Sequence, residues 1–294
     1  MIDALVQQHQ HMKEVMVLYS GGLDSRLTCR LLTEKGYTVE AAFFRLPFSA
    51  QHPDRDGFLE EEAIPLHIFD ANKGHLLDDY LEALDSPVYG RGKGFNPCLD
   101  CKIFMMRHLG GYSLEKGFDA IATGEVPGQR PMSQTSRKMQ IIQEESPLPV
   151  IRPLAELGIQ GRSRKHQLEL ARRFHIDYPM PAGGCLLCEK DLKVRFQTLF
   201  RHKLVGETTL PLITLGRHFY DPQRHHWFVV GRNQSENTVI EQYQNVVPSD
   251  KGQPAVYHHS NDDPEKAREQ AHRLQRAYRD RDTQAIESYY PWKL

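Results

Sequence analysis

The stretch VLYSGGLDSRLT, residues 17–28, carries an apolar run into two glycines and out into a helical pattern. An apolar run bounded by turn residues reads as a buried strand. A tight turn between strand and helix aims backbone N–H groups inward, and the helix N-terminus behind it adds partial positive charge, the arrangement that holds a phosphate. Gly21 and Gly22 allow close backbone approach and are both expected to take positive φ. Ser20 and Ser25 add hydroxyl donors. Asp24 suits a magnesium ion through oxygen, or caps the following helix. The same six residues also fit a plain strand-to-helix turn with Asp or Ser as its N-cap.

Outward from this loop, short apolar runs alternate with helical patterns, which is how a parallel sheet covered by helices looks in sequence. Strands are expected over 14–20, 38–46, 64–71 and 118–125. Helices are expected over 25–36, 75–84 and from near Cys98 to near Gly117. Beyond residue 150 the pattern loosens. Residues 150–158 read as a short strand and turn, 163–174 as an amphipathic helix with a basic face, and 178–191 as a Pro/Gly loop leading into a helix over 192–202. Residues 210–221 and 225–237 read as strands joined by a turn at Asp221-Pro222, 247–263 as a polar connector, and 264–280 as a charged helix. The expected organisation is an α/β domain over 1–203 and a small α+β domain over 204–294.

The 294 residues leave room for a substantial core, and 39% hydrophobic and 26% charged residues are ordinary for a folded globular protein. A net charge of −1 excludes a strongly basic overall field, so a nucleic-acid partner needs a local patch. The N-terminus has no basic and apolar leader pattern and no stretch approaches a membrane span, so a cytoplasmic protein with no membrane partner is expected.

Neither G-x-x-x-x-G-K-[ST] nor G-x-G-x-x-G occurs. SGGLDS instead resembles the SGGxDS signature of the PP-loop ATP pyrophosphatase superfamily. That resemblance implies a Rossmann-like, adenine nucleotide alpha hydrolase-like fold and ATP cleavage between the α and β phosphates. It gives Ser20, Gly21, Gly22, Asp24 and Ser25 as the ATP and Mg2+ loop, with Asp24 in a catalytic role. In such enzymes a carbonyl oxygen attacks the α-phosphate, pyrophosphate leaves, and a nucleophile then displaces AMP.

Five cysteines are too few and too uneven for a disulfide scaffold, but four of them form two C-x-x-C pairs, Cys98/Cys101 and Cys185/Cys188. NPCLDCKIFMM (96–106) sets the first pair at a helix start, where the dipole and Lys102 favour thiolate. This pair resembles the CxxC of the superfamily's tRNA thiolation enzymes. A C-x-x-C plus one distant cysteine also resembles the ligand set with which 2-thiocytidine and 2-thiouridine tRNA synthetases hold a 4Fe-4S cluster. The resemblance gives Cys98, Cys101 and Cys185 as ligands and leaves one iron to bind transferable sulfide. With Cys188 added, the four equally suit a tetrahedral zinc site, and redox-active or persulfide-carrying thiols remain a third reading. Cys29, on an apolar helix face, reads as a buried small hydrophobe.

GFDAIATGEVPGQRPMSQ (117–134) resembles a cleft-lining segment of tRNA thiouridylase-like and thiamine-biosynthesis-type sulfurtransferases, which adds Gly124 to the ATP site and Arg130 to the RNA contacts. LGRHF and WFVVGRNQSENTVI resemble the RNA-binding module of NFACT proteins. Arg162, Arg164, Lys165, Arg172 and Arg173 against Glu169 give residues 162–173 a net charge of +4, a surface suited to RNA phosphates or simply to solvent. Arg217 and Arg232 are candidate second contacts. The pairs His225/His226 and His258/His259 lack metal-site spacing and read as surface residues. The function implied is ATP-dependent tRNA thiolation. The partners implied are tRNA and a sulfur donor such as a cysteine desulfurase or inorganic sulfide, with the oligomeric state open and a dimer included. A small-metabolite or carrier-protein acceptor, and a non-catalytic zinc-containing RNA-binding protein, are the rival readings.

Overall fold

The structure is a computed structural model and describes residues 12–49, 57–179 and 184–294. The N-terminal reading over residues 1–11 and part of the Pro/Gly loop, 180–183, lie outside the described residues. The chain divides into two compact units between Lys190 and Asp191.

The first unit runs β1 (Glu14–Leu18), α1 (Leu23–Thr33), β2 (Thr38–Arg45), α2 (Phe58–Glu61), β3 (Leu66–Asp70), α3 (Gly74–Asp85), α4 (Cys98–Lys116), β4 (Ala120–Thr123), α5 (Ser136–Glu144), β5 (Val150–Ile151), α6 (Pro153–Glu156) and α7 (Lys165–Arg173). Its five strands pair in the order β3-β2-β1-β4-β5, and every pairing is parallel. Val15, Met16 and Val17 of the central strand are fully buried, as continuous apolar runs are when helices cover both faces. Leu23, Leu27 and Leu31 of α1 join Val15, Val17, Leu154 and Ala171 in one core, which fixes the helix behind the loop against the sheet. Cys29 is fully buried within that core, as its place on the apolar face predicts.

The strand order reverses at β1. The chain moves outward through β2 and β3 and returns to pair β4 on the other side of β1. The loops leaving β1 and β4 therefore diverge, and in open parallel sheets that crevice is where ligands bind. SGGLDS occupies it.

The second unit contains α8 (Lys193–Arg201), α9 (Leu210–Ile213), β6 (Arg217–Asp221), β7 (His226–Val230), α10 (Gln234–Ile240), β8 (Val246–Val247), β9 (Val256–His259), α11 (Pro264–Asp280) and α12 (Thr283–Glu287). The expected domain boundary at 203/204 grouped α8 with the first domain, whereas it belongs to this unit. An antiparallel sheet, β6-β7-β9-β8, packs Phe219, Phe228, Val230, Val247 and Val256 against Ala271 and Leu274 of α11.

Four expectations are corrected here. Residues 210–213 form a helical turn before the strand, and 234–240 form a helix because the Asn233 side chain accepts the Glu236 N–H at 3.0 Å and caps it. The polar connector contains β9, whose Val256 and Tyr257 are buried beside β7. His226 and His258 are buried under α11 rather than on the surface, and His226 Nδ1 lies 2.5 Å from Gln270 Oε1. Among the described residues no helix is long and apolar enough to cross a membrane.

Candidate functional site

The loop after β1 closes on itself through Ser25. Its Oγ donates to the Gly22 carbonyl at 2.8 Å and accepts the Ser20 N–H at 3.3 Å, with Ser20 Oγ at 3.4 Å. Gly21 alone takes the left-handed conformation (φ +75°). Gly22, expected to do the same, has φ −83° as the N-cap of α1 and supplies no side-chain cap. Asp24 lies within the first turn of α1, so it is not the cap either. The helix N-terminus is thus left without the side-chain oxygen that a plain capped turn would provide, and its N–H groups stay available to an anion.

Gly124, just after β4, lies directly against this loop. A Cβ there would sit 2.6 Å from the Asp24 carbonyl carbon and oxygen and 2.9 Å from the Ser25 nitrogen. Gln129 Nε2 donates to Asp24 Oδ2 at 3.0 Å, while Oδ1 is shielded from solvent with no hydrogen-bond partner. Burial pushes the Asp24 carboxyl above the ordinary carboxylate range, and the Gln129 hydrogen bond and the charges of Arg164 and Arg130 pull the other way. An orphaned carboxylate oxygen beside open helix N–H groups is the donor a hard divalent cation on a triphosphate would use.

The expected RNA residues therefore separate. Arg130 and Arg164 act electrostatically on Asp24, in a frame where Gly161 N–H donates to the Pro127 carbonyl at 2.7 Å and Gly128 N–H to the Gln134 carbonyl at 2.6 Å. Arg162, Lys165, Arg172 and Arg173 stand exposed, with Lys165 4.0 Å from Glu169. In the second unit, Arg232 is held by Glu236, its Nε at 2.9 and 3.1 Å from the two carboxylate oxygens, and Arg217 lies over the Tyr278 ring at 5.3 Å.

The structure brings both cysteine pairs together. Cys98 opens α4, Cys101 follows one turn on, and Asn96 Nδ2 lies 3.1 Å from Cys98 Sγ. Leu186–Cys188 form a single 3-10 turn. Its backbone is docked on both sides: Leu186 N–H donates to the Phe48 carbonyl at 3.0 Å, and Phe95 N–H donates to the Leu187 carbonyl at 2.8 Å. Gly94 permits the approach, since a Cβ there would lie 2.5 Å from the Leu187 oxygen. The Cys188 thiol consequently lies within electrostatic reach of Cys98 and Cys185.

The helix dipole does not prevail at Cys101. Burial, and then the neighbouring Cys185 and Cys98, push its thiol up to about 12, against the opposing effect of Lys102. Burial and the same kind of neighbours push Cys188 up to about 12, and burial raises Cys185. Neighbouring sulfurs that make Cys101 and Cys188 harder to ionise form a soft donor set whose electrostatics a bound cation would reverse. As placed, no three His, Cys, Asp or Glu side chains among the described residues are arranged to hold a metal. The chemistry of the donor set fits a thiolate-bound group, but its ligating geometry is not formed.

Glu125 links the two halves. It is 2% exposed, with Lys102 Nζ 3.6 Å from Oε1, and Arg152 Nε at 3.3 Å and Thr123 Oγ1 at 3.2 Å from Oε2. Lys102 follows Cys101 and Glu125 follows Gly124, so one ion pair joins the segment beside the thiols to the strand end that abuts the Ser20–Ser25 loop. Glu125, Gln129, Arg152 and the fully buried Tyr80, whose hydroxyl has Cys101 and Cys185 as electrostatic neighbours, were not singled out from sequence. Gln129 and Glu125 lay within the quoted 117–134 segment, but Tyr80 left no sequence signal beyond an apolar helix position.

A parallel sheet with a glycine-rich loop at its switch point, tied by Gly124 to the neighbouring strand end, defines an α/β domain of the PP-loop class. Residues 11–177, more than half of the chain, match the family described as Thiamine biosynthesis protein (ThiI), and the chain belongs to that family. The chain is 29% identical over 126 residues to a tRNA-specific 2-thiouridylase MnmA of Campylobacter curvus, covering 38% of this chain and 34% of the relative. It is 34% identical over 119 residues to a bifunctional protein NifU/MnmA of Rubrobacter xylanophilus, covering 37% and 24%. The match thus spans about a third or less of these relatives' length. Among solved structures, a 4-thiouridine synthetase–RNA complex with bound ATP is similar with a TM-score of 0.41 and 20% identity, over 68% of this chain and 52% of that one.

Proposed function

We propose that this chain is an ATP-dependent sulfurtransferase that acts on tRNA, activating a uridine or cytidine carbonyl by adenylation and replacing its oxygen with sulfur. The observation that carries the reading is the placement of a phosphate loop and four thiols in one unit, bridged by Lys102 and Glu125. A phosphate loop alone serves any adenylating enzyme; thiols beside it name the incoming nucleophile. The relatives' printed names, 2-thiouridylase among them, support the same acceptor class.

The chemistry balances as two displacements. The nucleobase carbonyl oxygen bonds to the α-phosphorus of ATP and pyrophosphate leaves; sulfur then bonds to the activated carbon and AMP departs with the original oxygen. The Ser20–Ser25 loop, with Gly124 closing its back, holds the phosphates. Asp24 is the residue that would hold Mg2+, and Gln129 keeps its carboxylate aimed by holding Oδ2. Arg130 and Arg164 offset triphosphate charge. Arg162, Lys165, Arg172 and Arg173 present the surface for the RNA backbone. Cys98, Cys101 and Cys185 are the thiols that would hold a 4Fe-4S cluster, which would supply a site for sulfide. Sulfur arrives from a cysteine desulfurase or from inorganic sulfide.

The test is anaerobic purification followed by incubation with tRNA, ATP, Mg2+ and sulfide. Digestion and mass spectrometry are expected to show a thionucleoside that depends on ATP, with AMP and pyrophosphate formed alongside. ATP cleavage without any change in tRNA refutes the acceptor. Zinc at one per chain, without iron or sulfide, refutes the cluster.

A further inference from the structure

Arg26 is 1% exposed, an unusual depth for a cation, and it lies directly beneath the phosphate loop. Its Nε donates to the Gly21 carbonyl at 2.9 Å and its Nη1 to the Asp177 carbonyl at 2.8 Å. The guanidinium sits 5.0 Å from the centroid of the Phe58 ring, which itself stacks with Tyr19 at 6.4 Å. The group is therefore clamped from below by an aromatic face and directed at two backbone oxygens.

The Gly21 carbonyl and the Gly22 N–H belong to one trans peptide, so they point in opposite directions. Holding the oxygen into the core turns that N–H outward, onto the side of the crevice. Among the described residues it makes no hydrogen bond there. A Gly-Gly peptide is the easiest in a chain to rotate, and rotated by half a turn it would present a carbonyl oxygen to an incoming anion. The second bond of Arg26 ties the same peptide to the segment Asp177–Tyr178, whose tyrosine ring lies 5.9 Å from the Arg164 guanidinium.

We propose that Arg26 is a positioning residue for the phosphate loop: by pinning the Gly21 carbonyl inward it fixes the Gly22 N–H as an anion donor and locks the loop to the Asp177 segment. This rests on the proposed ATP reading and deepens it, because it assigns the polarity of the loop to a residue outside the SGGLDS pattern. Arg26 touches no phosphate; it acts through the Gly21–Gly22 peptide.

The experiment compares the full chain with Arg26→Lys and Arg26→Met, using inorganic pyrophosphate as the probe in titration calorimetry and ATP in steady-state kinetics. Arg26→Lys retains a cation that reaches one carbonyl at most. It is expected to weaken pyrophosphate binding about tenfold, to raise KM for ATP alike, and to leave kcat within about twofold. Arg26→Met is expected to weaken binding about a hundredfold. A lowered melting temperature with unchanged pyrophosphate affinity overturns the proposal, because a merely structural role predicts that result. If Arg26→Met does not fold, the lysine variant alone decides. A wild-type chain that binds neither pyrophosphate nor ATP overturns the ATP reading along with the inference; wild-type binding matched by both variants overturns the inference alone.

Discussion

Replacing Gly124 by alanine tests whether the loop and the end of β4 form one site. The added Cβ would lie 2.6 Å from the carbonyl carbon and oxygen of Asp24 and 2.9 Å from the Ser25 nitrogen, and all three are backbone atoms. Side chains can rotate away from such a clash, but a helix first turn pinned by Ser25 and by the core residues Leu23 and Leu27 cannot. Restoring ordinary van der Waals separation, 3.4 Å, needs a displacement of about 0.8 Å between the β4 exit and α1. Overpacking of this kind costs about 1–3 kcal/mol of stability. The larger effect is functional, since a misplacement of about 1 Å in a reaction site costs on the order of a hundredfold in rate. The variant is therefore expected to unfold at a lower temperature yet remain folded at 25 °C, with ATP-dependent pyrophosphate release reduced on the order of a hundredfold. Differential scanning fluorimetry and a coupled pyrophosphate assay measure the two effects. Wild-type melting with wild-type KM and kcat would show that the two strand ends do not share a site, and the reasoning would fail.

Gly94→Ala places a Cβ 2.5 Å from the Leu187 oxygen, so it should displace the second thiol pair; the expected outcome is loss of thiol crosslinking by a short bifunctional reagent between Cys98 and Cys188, with ATP binding retained. Cys98→Ser, Cys101→Ser and Cys185→Ser are expected to abolish iron and sulfide content and the broad absorption near about 400 nm, whereas Cys188→Ser, at an exposed position, retains them; iron loss in all four would instead make Cys188 a ligand. Burial lowers His218 to about 3 and His258 to about 4, so unfolded chains take up protons first as the pH falls below the ordinary histidine value. The second unit should be fully stable above that value and lose stability toward pH 4, with His218 alone costing about 3 kcal/mol at pH 4.5. Urea midpoints at pH 7 and pH 4.5 check this, and equal midpoints would contradict it.

The sheet was legible because its strands are apolar on both faces and its helices carry their own period. The charged helix 264–280 was read to the residue for the same reason. The loop was legible because glycine, serine and aspartate are needed together only in a few turns. Long-range closure was not legible. Nothing in GRGKGFNPC announces that Gly94 will receive the Leu187 carbonyl, because a backbone hydrogen bond between segments far apart leaves no side-chain trace. Asp24 and Gln129 likewise meet only once β4 lies beside β1. Arg164 was grouped with its basic neighbours by sequence, yet its place at the start of α7 turns it toward the loop while Arg172 and Arg173 face solvent. In the second unit, β9 was hidden because its two histidines, of which His258 is buried, looked like surface polarity.

The docking of the 3-10 turn onto Phe48 and Phe95 has a consequence for how the molecule is made. Cys101 leaves the ribosome 87 positions before Cys188. At synthesis rates of about 5–20 residues per second, the first pair waits on the order of ten seconds for the second. During that interval a nascent chain offers two thiols at a fresh helix end and nothing to complete the set. The four-thiol cluster therefore cannot form before the last turn of the first unit emerges, and it can form while the second unit, from Asp191 on, is still being made.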